Sequence, residues 1–177
     1  MSRLVITKKQ RRSIVSVAVV LLLGTVVAVG SLGGDSTTSS RGELPVESFE
    51  LFSGGEATFA DFGDKPLVIN FWASWCPACV AELPEFQSAS EQYGEELVFL
   101  GLANSDQRNA SIALASDVGL TYTLGDDPKG DLFRSLGLIA MPSTIFVTAD
   151  GEILEIFGGQ LNERALTERI DELVAAS

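Results

Sequence analysis

Two cysteines separated by two residues are the groups of this sequence best suited to chemistry. Cys76 and Cys79 are the only cysteines of the chain, which contains no histidine. At this spacing one thiolate can attack the disulfide of a partner, and the second thiol can then resolve the mixed disulfide. The pattern therefore predicts thiol–disulfide exchange.

The same counts exclude other reactions. Hydrolase triads need an imidazole base, and a closed structural zinc site usually takes four Cys or His ligands. We therefore expect no metal site and no cofactor. A structural disulfide, half of a metal site or a chance pair are the alternatives for the two cysteines, but a loop this short gives a structural disulfide little entropic stabilisation.

The segments around the cysteines predict how they are positioned. The apolar run Leu67 to Ala73 is typical of a strand buried on both faces, and Pro77 suits the first turn of a helix that follows it. Cys76 would thus lie at the start of a helix, where unpaired N–H groups and the helix dipole lower a thiol pKa. We assign Cys76 as the nucleophile and Cys79 as the resolving thiol.

The remaining patterns alternate between strands and helices. They predict a mixed central sheet with helices on both faces, an α/β fold. The predicted elements are a hairpin around Gly54-Gly55, a strand at Leu97 to Asn104, a helix stopped by Gly119, a short helix at Asp131 to Leu136, a hairpin turning at Asp150-Gly151, and a last helix capped by Asn162.

Several motifs together resemble a known family. The run NFWASWCPAC, then Glu82 and Pro84, then Met141-Pro142 before a strand, is similar to the thioredoxin superfamily and, within it, to its membrane-anchored TlpA/ResA/DsbE-like branch. The resemblance covers about residues 44–175 and implies a thioredoxin fold.

The resemblance also implies roles for individual residues. It implies that Pro142 is cis and lies against the disulfide, and that Met141 holds the partner chain by backbone contacts. Trp75 and Pro77 complete the expected substrate-binding set, with Trp75 covering the site. Trp72 is either a further site residue or a core aromatic.

Glu82 matches a glutamate that performs acid–base work near the second cysteine of the family. One helical turn separates Glu82 from Cys79, so its carboxylate could accept the proton of the resolving thiol. Taken alone, a glutamate facing solvent would be the preferred interpretation. Asn70 stands where thioredoxin itself usually has a buried aspartate, and Pro84 is expected to kink the helix.

The N-terminal segment predicts export. The run from Ile14 to Gly30 has seventeen residues without a charge and follows five bases. We expect a cytoplasmic basic segment at 1–12, a transmembrane anchor or signal at 13–32, a flexible linker at 33–48 and a thioredoxin-like domain at 49–177 outside the cytoplasm. Cleavage after Ala28-Val29-Gly30 and a twin-arginine signal at Arg11-Arg12 are the alternatives.

The acidic composition and the motif around the two cysteines together limit the functions that the chain could have. From residue 31 onward the chain has 24 acids and 7 bases, which disfavours nucleic acid as a partner. The leading hypothesis is a monomeric reductant of disulfides in exported proteins, such as apocytochrome c, supplied with electrons by a membrane thiol carrier. The alternatives are a disulfide-forming oxidant and a non-catalytic binding module; a thiol peroxidase is disfavoured because its usual P-x-x-x-T-x-x-C site is missing.

Overall fold

The structure, a computed structural model, describes residues 44–177. Within this range the chain alternates between strands and helices. The strands are β1 (Phe49–Leu51), β2 (Glu56–Ala57), β3 (Leu67–Trp72), β4 (Val98–Asn104), β5 (Thr123–Asp127), β6 (Ser143–Val147) and β7 (Ile153–Gly158). The α-helices are α1 (Pro77–Tyr93), α2 (Arg108–Val118), α3 (Asp131–Ser135) and α4 (Glu163–Ala176), and a 3-10 turn covers Phe59–Phe62.

The strands form one mixed sheet in the order β2-β1-β5-β4-β3-β6-β7. β3 pairs in parallel with β4, β4 in parallel with β5, and the remaining pairs are antiparallel. All six residues of β3 are buried, which agrees with its continuous apolar sequence. The predicted mixed sheet is confirmed.

Alternation along β3 separates two apolar layers, because successive side chains of a strand point to opposite faces. Ile69 and Phe71 pack on one face with a cluster that includes Phe133 of α3. Val68 packs on the other face with residues of α1 and α4. Helices therefore cover both faces, and Asn70 and Trp72 share the face of Val68, beneath α1.

The predicted ends of the helices are confirmed at two positions. Gly119 ends α2 with a left-handed φ of 80°, a conformation that costs glycine little. The Asn162 side chain accepts a hydrogen bond of 3.0 Å from Ala165 N and caps α4. At the first helix, α1 continues through Pro84 to Tyr93.

The predicted cytoplasmic segment and anchor, and the linker up to residue 43, lie outside the described residues, so the proposed domain boundaries stay predictions. Leu44, at the start of the described range, packs against the core cluster that includes Phe71. In residues 44–177, every helix is too short or too polar to cross a bilayer.

Candidate active site

The two cysteines form a disulfide at the start of α1. Cys76 is the N-cap residue of the helix, Pro77 occupies its first turn, and Cys79 N donates a hydrogen bond of 3.2 Å to Cys76 Sγ. A free backbone N–H at a helix start stabilises negative charge. In the reduced protein the same N–H would stabilise the Cys76 thiolate and lower the pKa of that thiol.

The two sulfurs differ in accessibility. Cys76 is 6% exposed, whereas Cys79 is completely buried beneath it, against Trp72 and Leu83. A surface cleft of about 420 Å³ opens at Cys76 and is lined mainly by apolar residues. The lining residues are Trp75, Cys76, Pro77, Ala78, Asn104, Phe133, Ile139, Ala140 and Met141. A protein partner can therefore approach Cys76 more readily than Cys79.

Three of the four residues predicted to bind substrate line this cleft. Trp75 is 59% exposed, and its Nε1 donates a hydrogen bond of 3.2 Å to Ser105 O. The Met141-Pro142 peptide bond is cis, as the resemblance implied. Pro142 is the exception among the four, because it is buried and does not line the cleft. Its carbonyl accepts a hydrogen bond of 2.8 Å from Gly159 N.

Glu82 is fully buried in α1, so the interpretation of a solvent-facing glutamate is wrong. Its Oε1 accepts a hydrogen bond of 2.8 Å from Asn70 Nδ2, and its Oε2 accepts one of 2.8 Å from Leu161 N. Burial raises the pKa of Glu82 from its ordinary 4.5 to about 7, against the two hydrogen bonds, which lower it. A carboxyl with this pKa can both accept and return a proton near neutral pH.

Three buried polar atoms lie on the same face of the sheet, with no hydrogen-bond partner among residues 44–177. They are Asn70 Oδ1, Trp72 Nε1 and Tyr122 OH. Trp72 is completely buried and packs in the cluster that contains both cysteines, so it is a core aromatic that also borders the disulfide. Burial, followed by the nearby Glu82 charge, raises the pKa of Tyr122 well above its usual range.

Some residues that hold this site show no signal in the amino-acid sequence. Leu161 lies 79 positions from Glu82 in sequence, and its contribution is a backbone N–H that no side-chain pattern reveals. Asp106 accepts hydrogen bonds from Ser74 next to the dithiol, but in sequence it is one of 24 acids. In the described part of the chain, no group of three or more His, Cys, Asp or Glu side chains is arranged to hold a metal ion.

A mixed sheet that carries a disulfide at a strand-to-helix junction, with Met141 of a cis Met141-Pro142 bond packed against the cluster that contains both cysteines, defines a thioredoxin-like thiol–disulfide oxidoreductase. The chain belongs to the AhpC/TSA family, whose sequence profile matches residues 43–156.

Curated relatives and solved structures agree with this class. The chain is 35% identical over 128 residues to the thiol:disulfide interchange protein HelX of Rhodobacter capsulatus, covering 70% of this chain and 71% of HelX. It is 32% identical over 149 residues to the thiol:disulfide interchange protein DsbE of Escherichia coli, covering 79% of each. The solved structure of MTB dsbF is similar with a TM-score of 0.68 and 27% identity, over 72% of this chain and 95% of dsbF. The predicted thioredoxin fold and enzyme class are confirmed.

Proposed function

We propose that this protein reduces disulfides in exported proteins, with Cys76 as the attacking thiolate, Cys79 as the resolving thiol and Glu82 as the acid–base group. The observation that carries the proposal is the asymmetry of the cysteine pair. Cys76 borders an open cleft and receives an N–H hydrogen bond, whereas Cys79 is buried on the same helix as a carboxyl whose pKa is about 7.

The reaction starts from the reduced protein. The Cys76 thiolate attacks one sulfur of the partner's disulfide, the partner's S–S bond breaks, and its other sulfur leaves as a thiolate that takes up a proton. A mixed disulfide now joins Cys76 to the partner. The approach of the partner is favoured at Cys76 because the cleft opens there.

The second step resolves the mixed disulfide. Glu82 accepts the proton of the Cys79 thiol, and the Cys79 thiolate attacks Cys76 Sγ. The mixed disulfide breaks, the Cys76–Cys79 disulfide forms, and the partner's sulfur leaves as a thiolate that takes up a proton, so that the partner is released as a dithiol. Two electrons have then moved from this protein to the partner, and a membrane thiol carrier would restore the reduced form.

Sequence features support an extracytoplasmic site for this reaction. The basic segment at 1–12 and the apolar run at 13–32 would anchor the chain with its N-terminus in the cytoplasm. The linker at 33–48 would then hold the catalytic domain away from the membrane. The protein would act as a monomer. Exported proteins with paired cysteines, such as apocytochrome c, would be the substrates, and Trp75, Pro77, Met141 and Pro142 would contact them.

The reduction potential of the Cys76–Cys79 couple tests the direction of electron flow. Equilibration of the full chain with glutathione buffers of known potential should give a low value, near the roughly −270 mV of thioredoxin. A value near the roughly −120 mV of a dedicated oxidant would refute the reductant and favour a disulfide-forming enzyme.

Two serine variants provide a matched pair for the assignment of the cysteines. Cys79→Ser should accumulate a covalent complex with a substrate that contains a disulfide, because the mixed disulfide on Cys76 can no longer be resolved. Cys76→Ser should form no such complex and should lose turnover. Equal trapping by the two variants, measured on non-reducing gels, would contradict the assigned roles.

A further inference from the structure

A tight turn connects β3 to α1 and carries Trp75 and Cys76, which line the cleft. It spans Ala73 to Cys76 and is closed by a hydrogen bond of 3.1 Å from Cys76 N to Ala73 O. This turn sets where Cys76 Sγ lies relative to Cys79 N, and it directs Trp75 to the cleft. Anything that fixes the turn therefore fixes the reacting sulfur.

The carboxylate of Asp106, just beyond the end of β4, fixes this turn. Asp106 Oδ2 accepts hydrogen bonds of 2.6 Å from Ser74 N and 2.7 Å from Ser111 Oγ. Asp106 Oδ1 accepts hydrogen bonds of 3.0 Å from Ser74 Oγ and 2.7 Å from Gln107 N. Every contact on both oxygens comes from a donor, so the position requires a group that accepts on both sides, which a carboxylate does and an amide does not.

The charge state of Asp106 agrees with this requirement. Partial burial opposes ionisation, but the hydrogen bonds from Ser74, Ser111 and Gln107 together outweigh it and lower the pKa of the carboxyl below its ordinary 3.8. Asp106 is therefore an anion at neutral pH, and hydrogen bonds to an ionised acceptor are about twice as strong as those between neutral groups.

Ser105, which precedes Asp106, forms a hydrogen bond with the exposed side chain of Trp75. Ser105 has a left-handed φ of 51° and its O accepts the hydrogen bond from Trp75 Nε1. Its own N donates a hydrogen bond of 2.9 Å to Asp127 O at the end of β5. The Asp127 carboxylate in turn accepts hydrogen bonds from Asp131 N and Phe133 N at the start of α3. The loop that supports the turn is thus tied to β5 and, through Asp127, to α3.

From this geometry we propose that Asp106 is a positioning residue for thiol–disulfide exchange, which holds the turn from Ala73 to Cys76 so that Cys76 Sγ meets the N–H of Cys79. The inference rests on the proposed function of the cysteine pair. Asp106 acts through Ser74, since its described hydrogen bonds come from Ser74, Gln107 and Ser111 and not from a cysteine.

Charged groups near the turn and Asp106 come from several elements of the described chain. Asp126 of β5 pairs with Arg108 of α2 and lies close enough to Asp106 for the two carboxylates to repel each other. Asp106 lies beside Ser74, and Glu82 lies in α1 on the same helix as Cys79. A Cβ built on Gly130 would lie 3.1 Å from Arg134 Nη1 and 2.8 Å from Ser105 Oγ, so these two groups are close to each other. Arg134 of α3, which forms an ion pair with Asp131, therefore places a cation beside the loop that supports the turn. Met141 and the other residues that close the cleft are uncharged.

Two substitutions separate position from charge. Ser74→Ala removes one hydrogen bond to Asp106 and leaves its charge in place. Asp106→Asn removes the charge and turns an NH₂ group toward two of the four donors. Asp117→Asn is the matched control, because it changes the net charge equally on an exposed residue of α2.

The experiment uses the reduced full chain and two measurements. The first is kcat/KM for reduction of an oxidised dithiol peptide, and the second is the rate of Cys76 alkylation by iodoacetamide as a function of pH. Asp106→Asn should lower kcat/KM about tenfold or more, since a misplaced reacting atom costs that much or more. Ser74→Ala should move the midpoint of alkylation up by about half a pH unit, because the thiolate loses part of its N–H stabilisation while the anion remains. Asp117→Asn should match the wild type.

Wild-type values for both Asp106→Asn and Ser74→Ala would overturn the proposal. If Asp106→Asn does not fold, the alkylation midpoint of Ser74→Ala decides alone, and an unchanged midpoint overturns it. If the wild type does not reduce the disulfide of the peptide, the proposed function fails, but the alkylation comparison still tests whether Asp106 positions Cys76.

Discussion

Replacement of Glu82 by Gln should change how the stability of the oxidised protein depends on pH. Glu82 is completely buried, and its pKa is raised from the ordinary 4.5 to about 7. At 1.36 kcal/mol per pH unit, this difference corresponds to about 3 kcal/mol of folding free energy.

The direction in which the free energy of unfolding changes with pH depends on which state binds the Glu82 proton more tightly. Between pH 4.5 and about 7 the folded protein keeps the Glu82 proton while the unfolded chain has lost it. The free energy of unfolding therefore falls as pH rises through this window, and above it the folded protein bears the whole penalty of about 3 kcal/mol. Below pH 4.5 both states are protonated and Glu82 imposes no penalty.

Urea unfolding of the oxidised protein from pH 4 to pH 8 measures this contribution. The free energy of unfolding of Glu82→Gln, minus that of the wild type, should rise by about 3 kcal/mol across the range. Taking the change with pH removes the constant cost of turning the Gln NH₂ toward Asn70 Nδ2 or Leu161 N. Glu85→Gln, at a half-buried position of the same helix, is the control for the loss of a carboxylate from α1. Parallel curves for Glu82→Gln and the wild type would refute a raised Glu82 pKa.

Two further substitutions test the packing beneath α1. A Cβ on Gly101 would lie 2.7 Å from Leu124 Cδ2 and 3.1 Å from Trp72 Nε1, so Gly101→Ala should cost about 1–3 kcal/mol in urea unfolding; Gly158→Ala, where nothing lies within 4 Å of the new Cβ, is the control, and equal losses would contradict the crowding at Gly101. Tyr122→Phe removes a buried hydroxyl that no described residue pairs with, so it should be neutral or stabilise by up to about 1 kcal/mol. A loss above about 1 kcal/mol, measured against Tyr93→Phe, would show that the hydroxyl has a hydrogen-bond partner such as a buried water.

Strong local patterns made much of the fold predictable. The apolar run of β3, the helix signals after Cys76 and the turn at Asp150-Gly151 each depend on residues close in sequence, and each element is present. β5 was not assigned because its sequence, TLGDD, has glycine and two aspartates, which are rare in strands. It forms a strand because β4 pairs with it on one side and β1 on the other. Its two aspartates also have partners: Arg108 donates a hydrogen bond to Asp126, and the Asp127 carboxylate accepts one from Phe133 N in α3.

The site likewise contains residues that local sequence patterns predict and residues that they do not. Cys76 and Cys79 are visible as a spacing, and the family resemblance pointed to Glu82 and to the cis-Pro142 bond. The burial of Glu82 was not predictable from its own helix, because Asn70 and Leu161, which pair with it, come from distant parts of the chain. Asp106 was missed for the same reason, since its importance comes from Ser74, 32 positions away.

The order of the strands also determines how the sheet meets other molecules at its two borders. β2, at one border, has only two residues, so it offers little unpaired backbone to a neighbouring chain. β7, at the other border, has six residues with Leu154 and Ile156 on its exposed side. A register shift between Phe146 and Val147 interrupts its pairing with β6, and Glu155, in an ion pair with Arg169, adds charge. Bulges and charges of this kind hinder strand addition, so we expect a disulfide-bonded partner to join this protein at Cys76 and not by adding a strand beside β7.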